Sequence, residues 1–192
     1  APAYHAAQLR AGGEDRVVLN LGGVANVKKL PADPARDVLG FDTGPANCLM
    51  DAWSRRHTGN AFDSAGSWAA SGQADRSLLA TLYSDPYFDR QIPKSTGTQY
   101  FSADWLDGRL AVAGELSAAD VQATLLALTR DSIVAAIRRH APGTARVLVC
   151  GGGVHNHALI QQLGEKLRIP VESTALHGID PDWVEAIAFA WL

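Results

Sequence analysis

Apolar runs separated by turn residues divide the chain into short strands and longer helices. Residues 16–21 (RVVLNL) are rich in β-branched side chains and predict a strand. Gly22-Gly23 predicts a turn, and residues 24–30 (VANVKKL) resume as a strand, so the pair reads as a hairpin. After a polar loop, residues 38–41 (VLGF) predict a third strand that ends on Asp42 and leads into a tight turn. Residues 46–57 carry Leu49, Met50 and Trp53 at helical spacing, with Pro45 before and Gly59 after as start and stop signals. Residues 60–100 are looser: a short helix lies within SGQADRSLLATLYSDPYF, and QIPKSTGTQYF reads as a loop. Ser102 is an N-cap for SADWLDGRL, and Ser117 for the longest periodic segment, which runs to His140. That segment is apolar on more than one face and predicts a largely buried helix. ARVLVCGGG is a strand running into three glycines, HNHALIQQLGEKL a helix, and IPVEST a short strand. DPDWVEAIAFAWL is a last helix, with Asp180 as N-cap and Pro181 as its first residue. A hairpin followed by alternating strands and helices predicts an α/β fold, a mixed sheet flanked by helices on both faces.

Composition narrows the class. At 192 residues the chain fits one full domain or one lobe of something larger, and 47% apolar with 19% charged residues predicts a globular fold. The net charge is −3, with no basic stripe or acidic tail, so composition gives no reason to expect nucleic acid or a membrane as partner. There is no signal peptide and no apolar run of membrane length. Cys48 and Cys150 sit in apolar runs and read as reduced core thiols of a cytoplasmic protein. No Cys/His cluster has zinc spacing, and the His155/His157 pair has no further ligands near it. The opening APAYHAAQLR reads as the end of a helix already under way, and the chain stops on an apolar helix with no cap. Both ends look cut, so a piece of a longer protein is expected.

Each of three strands is followed by a glycine-bearing turn: Gly22-Gly23, Gly44 with Pro45, and Gly151-Gly152-Gly153. Ligands of open α/β sheets bind where strands end, and glycines there admit close approach of a phosphate or nucleotide. Plain turn geometry is the alternative at each, but three on one sheet favour a nucleotide cleft. The dinucleotide pattern fails: Asn156 stands where a third glycine is needed, and Glu172 lies within its strand. No Walker loop or nucleophile elbow is present. Asp42 admits two readings from spacing, a carboxylate accepting backbone N–H groups in its own turn or a general base held on a rigid strand.

Six stretches carry a resemblance: LNLGGVANV, GFDTGPANCLMDAW, PKSTGTQYF, DVQATLLALT, VCGGGVHN and EAIAFAWL. In this order, and over essentially the whole chain, they resemble the anhydro-N-acetylmuramic acid kinase family. Ala46 departs from the family's usual glycine at that turn. The resemblance implies a ribonuclease H-like lobe of actin/hexokinase type, with ATP bound between two lobes. This chain would be the second, C-terminal lobe, with the first lobe and a short tail absent. It implies hydrolytic opening of 1,6-anhydro-N-acetylmuramic acid and phosphorylation of O6 by ATP, with Mg²⁺, during cell-wall recycling in the bacterial cytoplasm. A homodimer is compatible with the resemblance. Asp42 matches the family's catalytic aspartate. Asn20, Gly22 and Gly23 would contact phosphate, and Gly151, Gly152 and Gly153 the adenosine. Thr43, Gly44, Asn47, Lys94 and Ser95 are further candidates for cleft contacts. Glu185 either faces the cleft or makes an ion pair on the helix surface. The tryptophans read as core or rim packing. A nucleotide-binding module without chemistry, and a kinase for another sugar, are the alternatives.

Overall fold

The computed structural model describes residues 7–191, apart from the side chains of Glu185, Phe189 and Trp191. The reading of the opening as a helix end falls partly on the first six residues, which lie outside the described residues; residues 7–9 are helical. The strands are β1 (Arg16–Leu21), β2 (Val24–Leu30), β3 (Leu39–Pro45), β4 (Arg146–Cys150) and β5 (Val171–Ser173). They form one sheet in the order β3-β2-β1-β4-β5. β1, β2 and β3 are antiparallel neighbours, while β4 runs parallel to both β1 and β5. This is the expected mixed, ribonuclease H-like sheet.

The helices are α1 (Asn47–Thr58), α2 (Ser67–Ser71), α3 (Arg76–Tyr83), α4 (Pro86–Asp89), α5 (Ala103–Leu110), α6 (Ala118–His140), α7 (His157–Leu167) and α8 (Val184–Trp191). Local chemistry explains several of their ends. The Ser102 and Ser117 hydroxyls accept from Trp105 N and Asp120 N, as their spacing predicts. Gly59 closes α1 in the left-handed conformation. The last helix differs from its prediction. Asp180 accepts from Asp182 N in a turn, and α8 begins at Val184. A short acceptor has bonded its nearest backbone donor and shaped a turn instead of capping the helix.

Side-chain alternation gives the sheet two faces. Val17, Leu19, Val27, Phe41, Val147 and Val149 point to the larger core, against α1, α3, α6 and α7. The opposite face is divided. Val18, Leu30, Leu148 and Cys150 are buried under Leu9 and under Val184 and Ala188 of α8. Most of the remaining positions of that face toward β2 and β3 are polar, Val24 and Gly40 being exceptions, and they carry the candidate site.

Candidate active site

Register assembles the site. Cys150 pairs with Asn20, Asn20 with Asn26, and Asn26 with Asp42, so one row crosses four strands on one face. Asn20, Gly22, Gly23, Asn26, Lys28 and Asp42 line an open cleft of about 550 Å³. Asp42 lies within β3, not at a strand end before a tight turn, because the strand continues through Pro45. A register shift pairs Ala25 with Gly44 and Asn26 with Asp42, which leaves Thr43 as the extra residue of a bulge. Such bulges re-aim side chains beside working sites.

The Asp42 carboxylate is oriented from two sides. Asn26 Nδ2 donates to Oδ1 at 2.7 Å, and the Thr96 backbone N–H donates to Oδ2 at 3.0 Å. Its backbone is pinned too: Asp42 N donates to Lys94 O at 2.9 Å, and the Tyr87 hydroxyl donates to Asp42 O at 2.8 Å. The donors are Asn26 and Thr96, 16 and 54 residues away, and not N–H groups of Asp42's own turn; the carboxylate also borders the open cleft.

The turn at Gly22-Gly23 ties this strand region to α1. Gly22 O accepts from Asn47 N, and Gly23 O from Ala46 N and Cys48 N. The start of α1 is thus closed by backbone carbonyls in place of a capping side chain. A Cβ on Gly23 would lie 2.7 Å from the Thr98 methyl, which holds the 93–99 loop against the turn.

The triple glycine lines a second pocket of about 320 Å³, where Gly152 and Gly153 meet Asn47, Asp51, Phe62 and His155. Gly151 has φ +81°, and a Cβ there would lie 2.4 Å from Asn20 Oδ1. A Cβ on Gly153 would lie 2.5 Å from that of Leu21. These two glycines allow the turn to pack on the end of β1. Gly152 has nothing within 4 Å of an added Cβ and so leaves the pocket open. Asn47 Nδ2 donates to Leu21 O at 3.1 Å and ties α1 to the end of β1.

Other candidates go elsewhere. Thr43 and Gly44 are buried on the helix side of β3, where a Cβ on Gly44 would lie 2.8 Å from Phe88 Cε1. Lys94 turns its ammonium away from Asp42, giving N–H groups to Tyr87 O at 3.0 Å and Phe88 O at 3.1 Å. Ser95 is exposed. The Glu185 side chain lies outside the described residues. Of the tryptophans, Trp53 is core and Trp183 is 61% exposed, so the packing expectation does not hold for Trp183.

Sequence reasoning missed Asn26, Lys28 and Asp51. Asn26 and Lys28 share the parity of Asn20 within the hairpin, and that was the available signal. Asp51 follows Met50 on α1, but its pocket forms only when the triple glycine arrives. Burial pushes its carboxyl up to about 6, against a small opposing pull from Arg55. Both thiols are free, and burial pushes that of Cys48 up to about 11. Among the described residues, no helix is long and apolar enough to cross a membrane.

Comparison with known proteins places this geometry in context. The sequence matches the anhydro-N-acetylmuramic acid kinase family across residues 1–192. A protein of that name from Xanthomonas oryzae pv. oryzae is 53% identical over 192 residues, covering 100% of this chain and 50% of the relative. One from Burkholderia orbicola is 50% identical over 197 residues, covering 100% of this chain and 51% of the relative. The chain thus spans about half the length of the curated relatives it matches. The fold is shared with an activator of 2-hydroxyisocaproyl-CoA dehydratase from Clostridium difficile, at TM-score 0.54 and 15% identity, over 89% of this chain and 56% of that one. With full-length coverage and about half of its residues shared with such relatives, the chain belongs to the anhydro-N-acetylmuramic acid kinase family.

Proposed function

We propose that this chain is the second lobe of an ATP-dependent kinase that opens 1,6-anhydro-N-acetylmuramic acid and phosphorylates it, in the bacterial cytoplasm, as part of cell-wall recycling. The observation that carries the reading is the oriented Asp42 carboxylate in the same open cleft as the glycine turn after β1. In this reading Asp42 takes a proton from a water that attacks the anomeric carbon. The bond from that carbon to O6 breaks, and the freed O6 takes the γ-phosphoryl group while ADP leaves. Gly22 and Gly23, with Asn20 beside them, border the phosphates, and Gly152 leaves room for the adenosine. The ADPNP bound by the C. difficile activator supports a nucleotide in this fold.

The described residues gather no group of three or more His, Cys, Asp or Glu side chains that could hold a metal. If Mg²⁺ enters with the nucleotide, Asp42 is the cleft carboxylate that would face it, and the ion would supply charge neutralisation at the phosphates. Most contacts to the sugar are assigned to the other half of the full-length protein.

The test uses the full-length gene product, wild type and Asp42→Asn, with MgATP and the anhydro sugar, and follows phosphosugar by mass spectrometry. Wild type should form product, and Asp42→Asn should lose about a thousandfold or more in rate. Equal product from both would remove Asp42 as the base, and no product from either would remove the substrate.

A further inference from the structure

The helix side of β3 carries a pocket that this reaction does not use. While Asp42 borders the cleft, its neighbours Phe41 and Thr43 line a cavity of about 490 Å³ against α6 and the stretch from Tyr83 to Lys94. The cavity and the cleft have no lining residue in common.

Its charge is lopsided. Arg90, Lys94, Arg139 and His140 line it, against the single carboxylate of Asp89 among the described residues. No described carboxylate lies within ion-pair distance of Arg90, Lys94 or Arg139. Arg90 instead lies over the rings of Tyr87 and Tyr100, at 5.5 and 5.8 Å. The His140 imidazole is held below its ordinary range by burial, then by the charges of Arg139 and Lys94. Lys94 is pushed down by burial, with Asp89 opposing and Arg90 and Arg139 adding to the fall.

The pocket also holds an unanswered polar group. Thr43 is only 2% exposed, and its Oγ1 is buried with no hydrogen-bond partner. A buried hydroxyl in that state costs free energy unless something supplies a partner. Beside it stands an apolar wall. Phe41 lies edge-on to His140 at 5.3 Å, and Phe88 stacks on Tyr83 at 4.6 Å.

We propose that this pocket binds a small organic phosphomonoester, its dianion held by Arg90, Lys94, Arg139 and the Thr43 hydroxyl, its organic body against Phe41 and Phe88. A dianion balances the excess of cations, whereas a carboxylate monoanion leaves part of it unmet. An apolar body covers ring surface that inorganic phosphate cannot. The assignment is independent of the proposed kinase reaction.

Calorimetric titration of the full-length protein tests it, with phenyl phosphate as probe, inorganic phosphate and benzoate as comparisons, and saturating ADP throughout. Phenyl phosphate should bind about tenfold or more tightly than either comparison. Arg139→Ala, at an exposed position, should weaken it about tenfold without altering ADP affinity, and Thr43→Val should weaken it about threefold or more. Binding should also move the His140 imidazole NMR titration to higher pH. Absence of binding, or indifference to both substitutions, would overturn the site. Tighter benzoate binding would overturn the phosphomonoester, and equal affinity for inorganic phosphate would overturn the organic body.

Discussion

The proposed reaction needs a base whose oxygens are held still, and the Asp42 carboxylate is held through Asn26, Thr96 and its own backbone. Asn26→Ala removes one of these holds without touching the reacting atoms. It should lower kcat of the full-length enzyme about ten- to a hundredfold and leave KM for ATP within about twofold. A change confined to KM would mean that Asn26 binds substrate. Asp51 makes a different prediction. Burial pushes its carboxyl from an ordinary 3.8 up to about 6 in the folded protein. Between those values the folded state holds more proton than the unfolded chain, so this group's contribution to stability falls as pH rises from about 4 to about 6. Asp51 is partly exposed, so screening leaves an effect of about 1 kcal/mol or less. Asp51→Asn should therefore melt higher than wild type at pH 8 and level with it at pH 4, in paired thermal melts. An unchanged difference across that range would show that Asp51 is not the titrating group.

At the scale of elements, buried polar contacts hold the irregular middle of the chain. Asp85, 5% exposed, accepts from Tyr87 N at 2.8 Å, Tyr100 Oη at 2.8 Å and Trp105 Nε1 at 2.9 Å, and pairs with Arg109. It joins α4, the 97–101 stretch and α5. Burial pushes its carboxyl up, but these donors and the Arg109 charge outweigh burial and hold it below the ordinary range. A depressed folded pKa gives stability that is present above the unfolded value and lost as pH falls through the folded one. Asp85→Ala should cost about 2–3 kcal/mol in denaturant melts, since it strands several buried donors beside a partly exposed arginine. A loss below about 1 kcal/mol would show the contacts to be replaceable. Sequence announced the caps at Ser102 and Ser117 because each cap bonds within three residues. It did not announce the Asp85 hub, whose side-chain partners Tyr100, Trp105 and Arg109 lie 15 to 24 residues away.

For the whole molecule, the sheet is the rigid frame. β1 and β4 are its inner parallel pair, with Val17, Leu19, Val147 and Val149 at 0% exposure on the larger core and Val18 and Leu148 at 0% under the other face. Their amides should be the slowest to exchange with deuterium, while the amides of the 91–99 loop, at the surface beside the cleft, exchange several orders of magnitude faster. Protection of that loop equal to β1 would mean that it belongs to the frame. The sequence by itself determined the main element types, the order of strands and helices, the caps at Ser102 and Ser117 and the glycine turns after β1 and β4. All of these rest on side-chain periodicity and on bonds made within a few residues. Tertiary structure alone decided the row Asn20–Asn26–Asp42, the bulge at Thr43 and the place of Asp51. It also parted Asp42 from Thr43 and Lys94, which line opposite sides of one strand. Register between strands depends on what each face buries, and a one-residue shift sends a side chain to the other face.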